Sequence, residues 1–137
     1  LDRLAGYRAA MQAHGLSDET LIVEGKFNAE YGYQKMSELL PRHPDAVFCG
    51  GDTIAIGAMR AVLDAGLRVP EDVALIGFDD LDVATEVRPQ LTTIRHSVQN
   101  VGFTAAQLLI ALIDGEAAPP QHIVLPAELI VRGSTVG

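Results

Sequence analysis

The chain has 137 residues, 48% of them hydrophobic, with 18 acids against 10 bases and a net charge of −8. That length suits one compact domain with a core large enough to dispense with staples, the single cysteine Cys49 excludes an intrachain disulfide framework, and no run of about 18 apolar residues is present to span a membrane. The bases stand singly from Arg3 to Arg132, and without the clustered Lys and Arg that displace counterions from phosphates this stretch by itself is expected to bind neither DNA nor an anionic membrane.

Signals alternate between two periods along the chain. Leu4, Tyr7, Met11 and Leu16 fall near helical spacing, and Gly15 supplies a stop. Leu21-Ile22-Val23 reads as a short strand ending at Gly25. Asn28 is a good N-cap for a helix carrying Tyr31, Met36, Leu39 and Leu40, closed by Pro41 and Pro44. Ala46-Val47-Phe48-Cys49 is a second buried run, followed by Gly50-Gly51. Asp52 caps the next helix, over residues 54–65, and Gly66 ends it.

Val69-Pro70 is a turn, and Val73-Ala74-Leu75-Ile76 is a third apolar run. Beyond an acidic loop, Pro89 introduces an alternating strand over residues 91–94. Ser97 caps the longest helix, with Val101, Ala105, Leu108, Leu109 and Leu112 on one stripe and Gly115 at its end. Ile123-Val124-Leu125 and Leu129-Ile130-Val131 read as late strands interrupted by Pro126. Apolar strands separated by amphipathic helices predict an α/β fold, a doubly wound, mainly parallel sheet with helices on both faces. The chain opens inside a helix, without the strand that a βα unit places before it, so the pattern reads as part of something larger.

Ligands of open parallel sheets bind outside the carboxyl ends of the strands. Phe27 follows the first strand, Asp52 the second and Asp79-Asp80 the third, and Arg3 opens the first helix. Each has a plainer alternative: a helix cap for Asp52, core for Phe27, a solvated charge for Arg3, turn caps for Asp79 and Asp80. The acidic group of Asp79, Asp80, Asp82 and Glu86 invites a Mg²⁺ site, but no positioned Lys or Gly-rich phosphate loop accompanies it. His14, His43, His96 and His122 show no ligand spacing. Cys49 lies inside an apolar strand and reads as core. No metal, no cofactor and no catalysis are therefore expected.

Several words of the sequence occur in a family's order: Arg3-Leu4-Ala5-Gly6-Tyr7, Phe48-Cys49-Gly50-Gly51-Asp52, Gly57-Ala58-Met59, Gly66-Leu67-Arg68-Val69-Pro70-Glu71-Asp72-Val73, Gly77-Phe78-Asp79-Asp80, Pro89-Gln90-Leu91-Thr92-Thr93-Ile94 and Arg132-Gly133-Ser134. Together they make the chain resemble the effector-binding, periplasmic-binding-protein-like domain of the lactose-repressor family of transcription regulators. The resemblance covers nearly the whole chain and corresponds to the C-terminal part of that domain. It implies a C-subdomain over residues 1–95 and 122–137, a crossover and N-subdomain helix over 96–121, and a DNA-binding headpiece outside this sequence.

By the same resemblance Arg3 is an effector-binding arginine, Phe27 a stacking aromatic and Asp79 an acceptor carboxylate. Gly51 stands where the family often has Asn, which brings the site closer to the purine-repressor and ribose-regulator branch. His96, at the crossover, either reaches the cleft or marks the hinge. Ile56 and Val87 fall on the family's dimer face, with ordinary core as the alternative. The implied function is effector sensing and dimerisation in a cytoplasmic repressor: a small sugar or nucleobase-like ligand closes an inter-subdomain cleft and controls DNA binding allosterically. The alternative is a periplasmic solute-binding protein for sugar transport.

Overall fold

The structure, a computed structural model, describes residues 2–16, 21–116 and 122–136. Its order is α1 (Asp2–Ala13), α2 (Ala29–Leu39), a 3-10 turn (Leu40–Arg42), β1 (Ala46–Phe48), α3 (Asp52–Asp64), β2 (Ala74–Phe78), α4 (Val83–Glu86), β3 (Thr92–His96), α5 (Val98–Ile113) and β4 (Ala127–Ile130). The strands form one sheet in the order β1-β2-β3-β4. β1 runs parallel to β2, with Ala46 opposite Ala74, and β2 parallel to β3, with Ile76 opposite Thr92. β4 returns antiparallel to β3, with Thr93 opposite Ile130. The fold is thus α/β with a mainly parallel sheet.

Local chemistry sets the helix ends. The Asn28 carboxamide accepts the Tyr31 N–H at 2.7 Å and the Ser97 hydroxyl accepts the Asn100 N–H at 3.1 Å, each a side chain serving an otherwise orphaned first-turn amide. α3 and α5 are each followed by a glycine in the left-handed region, Gly66 at φ +77° and Gly115 at φ +74°. The core lies between α2, α3 and the sheet, around the buried Met36, Val62, Leu75 and Leu91. Along β2, Leu75 and Gly77 are buried while Ile76 and Phe78, on the opposite face, are half-buried.

Two expected strands are absent. Residues 22–27 and 122–126 are described without strand structure, although Leu21-Ile22-Val23 and Ile123-Val124-Leu125 have strand-forming composition. A strand exists through its ladder, and β-branched composition does not supply a neighbour. The outer edge of β1 pairs with no strand among the described residues, and a cavity of about 600 Å³ separates it from the segment 21–27. Pro126 has no N–H to donate, so β4 begins immediately after it. The proposed N-subdomain stretch 96–121 is described only to residue 116.

Candidate functional site

The carboxyl ends of β1, β2 and β3 gather side chains from separate segments. Arg3, in the first turn of α1, donates from Nη1 to the Gly50 carbonyl at 2.5 Å, just past β1. Its guanidinium carbon stands 3.9 Å from the centroid of the Phe78 ring at the end of β2, a cation–π distance. His96 ends β3, its ring centroid 5.5 Å from that of Phe78 and its Nε2 3.2 Å from Asp79 Oδ1. Gly51 lies between the two remaining members: a Cβ on it would stand 3.4 Å from the Phe27 ring and 3.5 Å from Asp79 Oδ2.

Arg3, Phe27, Gly51, Asp79 and His96 are therefore brought together at one sheet edge. Phe27 is 68% exposed, which excludes the core alternative for it. Arg3 is exposed but engaged with Gly50 and Phe78 rather than simply solvated. Ile56 and Val87 are half-buried and packed against the core. The chemistry of the group is that of recognition: forked donors from Arg3, an open aromatic face from Phe27, an acceptor carboxylate from Asp79 and a ring nitrogen from His96. The glycine pair leaves the floor between ring and carboxylate free of side chains.

Asp52 does not act as the expected helix cap. Gly51 is the N-cap residue of α3, and the fully buried Asp52 carboxylate crosses to the sheet instead. It accepts the Thr93 hydroxyl at 2.6 Å and the Leu81 N–H at 2.8 Å, so it supports the loop after β2 from below. Asp80 turns away from Asp79 and is gripped by Arg95 and Arg132, both at 2.6 Å. Burial pushes its carboxyl pKa up, but the hydrogen bonds from Arg132 and Arg95 outweigh that and hold it below the usual carboxylate value. Burial, with a smaller push from Asp52, raises the Cys49 thiol to about 12, so it stays protonated and unreactive at neutral pH. Among the described residues no group of three or more His, Cys, Asp or Glu is placed to hold a metal; Asp79 and Asp80 point to different partners.

Sequence reasoning missed Phe78, which unites Arg3 and His96. Its one signal was its place at a strand end immediately before Asp79. The cavity beside β1 reaches the group at Arg3, Phe27 and Gly50, but apolar side chains such as Leu4, Ile22, Met36 and Val47 line its interior. The candidate site is the group at the sheet edge, of which Arg3 and Phe27 also line this cavity while Gly51, Asp79 and His96 do not.

Residues 1–135 match the family model described as a periplasmic binding protein-like domain. The transcriptional regulator CelR of Thermobifida fusca is 42% identical over 137 residues, 98% of this chain and 40% of its own length. The transcriptional repressor PurR of Escherichia coli is 43% identical over 135 residues, 96% of this chain and 40% of its own. Among solved structures, a CelR–cellobiose complex matches with a TM-score of 0.90 and 39% identity, over 96% of this chain and 41% of that one. The lac repressor dimer bound to operator and the anti-inducer ONPF also matches at 0.90, with 32% identity, over 98% of this chain and 41% of that one. The chain spans about 40% of the length of these curated relatives. It belongs to the periplasmic binding protein-like domain family, and its relatives within that family are lactose-repressor-type transcriptional regulators.

Proposed function

We propose that this chain is one wall of the effector cleft, and part of the dimer face, of a cytoplasmic transcriptional regulator without catalytic activity. The observation that carries the reading is the convergence of Arg3, Phe27, Asp79 and His96, with the Gly51 floor, on the carboxyl edge of a parallel sheet. A sugar or nucleobase-like ring stacks on Phe27, offers its hydroxyls or ring N–H to Asp79, and takes donors from Arg3. Residues 1–95 and 122–137 form the C-subdomain, and α5, within 96–121, belongs to the opposing one, which supplies the second wall. Ile56 on α3 and Val87 after α4 belong to a homodimer face. Ligand binding shifts the populations of two subdomain arrangements, and a DNA-binding headpiece elsewhere in the protein reports the shift at the operator. A transport role in the periplasm is the weaker reading, because the named relatives are transcription regulators.

Calorimetry of the full-length protein with cellobiose, ribose and hypoxanthine tests this. One of the three is expected to bind, with Arg3→Ala and Asp79→Asn each weakening it by about 1.5–3 kcal/mol, the worth of a hydrogen bond to a charged group. That is roughly a 10- to 150-fold rise in Kd. Binding that both variants retain in full, or no binding of any of the three, overturns the reading.

A further inference from the structure

We propose that Asp80 is a positioning residue that aims Asp79 into the cleft and links it to the two strands through which the chain leaves and re-enters the sheet, a reading that rests on the ligand wall above. Asp79 and Asp80 both have positive φ, 109° and 53°. Side chains other than glycine rarely adopt that region unless their surroundings impose it. Four hydrogen bonds impose it here. The Asp79 N–H donates to the Ile94 carbonyl at 2.9 Å, and the Asp80 N–H donates to the Thr93 hydroxyl at 3.3 Å. Asp80 then spends each carboxylate oxygen on a different arginine: Oδ2 accepts from Arg95 Nε and Oδ1 from Arg132 Nη2, both at 2.6 Å.

Those arginines lie on the two sides of one excursion. Arg95 is on β3, and Arg132 follows β4; between them the chain leaves the sheet as α5 and returns. Arg132 is itself immobilised, with Nη1 donating to the Leu91 carbonyl and its backbone N–H to the Thr92 hydroxyl, each at 2.8 Å. Arg95 also faces Glu128 of β4 at 3.8 Å. The Asp80 and Arg132 side chains are only 11% and 12% exposed, so water competes little for this pair. Asp79 faces the other way, toward His96 and Gly51. Releasing Asp80 lets the backbone relax toward ordinary φ and swings the Asp79 carboxylate off His96. A ligand pulling on Asp79 loads β3 and β4 through the same clamp, so Asp80 couples the cleft to the excursion 97–126.

The test is hydrogen–deuterium exchange by mass spectrometry on the full-length protein, with cellobiose, ribose and hypoxanthine as calorimetric probes. Asp80→Asn keeps the shape and removes the charge. It is expected to speed exchange of the 79–82 peptide about tenfold, leave the α3 and β1 peptides at wild-type rates, and weaken the probe that binds by about tenfold. Arg95→Gln, at a half-exposed side chain, is expected to shift the same peptide in the same direction by less, and it decides the matter should Asp80→Asn fail to fold. Wild-type exchange at 79–82 in the variant overturns the proposal, as does a uniform acceleration that includes α3 and β1, which marks general destabilisation. If no probe binds the wild-type protein, the ligand reading has failed, while the exchange result still decides whether Asp80 holds the Asp79 loop.

Discussion

Asp52 and Gly77 form a pair in which one residue's function depends on the other's lack of a side chain. A Cβ on Gly77 would run into Asp52 Oδ1 and Leu91, so glycine is what lets a buried carboxylate pass over β2 to reach Thr93 and Leu81. Gly77→Ala is expected to cost about 1–3 kcal/mol by overpacking. Thr93→Val, which keeps the volume but leaves a buried carboxylate oxygen without its donor, is expected to cost about 1–3 kcal/mol. Urea unfolding midpoints check both. Asp52 at a helix start reads as a cap in the sequence because capping is a local pattern. Its real partners lie 29 and 41 positions away, and no spacing rule points to them. Arg3 and Asp79 could be placed at one sheet edge from the sequence because one opens α1 and the other directly follows β2, whereas Phe27 lies beside Gly51 although the strand expected before it did not form.

Among the elements, α2 and α3 make the closest crossing. Gly32 lies against the Ile54 backbone and Gly57 against the Ala29 carbonyl, with no room for a Cβ at either position. Gly57→Ala would favour the isolated helix by roughly 1 kcal/mol yet is expected to destabilise the protein by about 1–3 kcal/mol, because the helices must part. A drop in melting temperature accompanied by unchanged far-ultraviolet helicity checks this. β1, β2 and α3 were readable from short apolar runs and glycine stops. The strand expected at Leu21-Ile22-Val23 was not realised, because pairing is a property of two segments and the space beside β1 holds a cavity. α5 was readable as a helix from Ser97 and Gly115. Its stripe is only half-buried at Leu108 and Leu112, with Val101 and Leu109 exposed, since a hydrophobic face identifies a helix without saying what covers it.

At the scale of the molecule, the tail closes the sheet. Fully buried Ser134 sits at the foot of β2 and β3: its hydroxyl donates to the Leu75 carbonyl at 2.6 Å and accepts the Thr92 N–H at 2.8 Å. Its backbone accepts from the Leu75 N–H and donates to the Gln90 carbonyl, each at 2.9 Å. Ser134→Ala removes both hydroxyl bonds and is expected to cost about 1–3 kcal/mol, read from urea unfolding. The wedge also imposes an order in time. Ser134 is made 42 residues after Thr92, an interval of roughly 2–8 s at bacterial rates of about 5–20 residues per second. Until Ser134 has been made, the Leu75 carbonyl and the Thr92 N–H lack this partner, so the native contacts at the lower ends of β2 and β3 cannot be complete before that point. Completion of this corner of the sheet is therefore a late event of synthesis relative to β2 and β3, whichever of the earlier contacts form first.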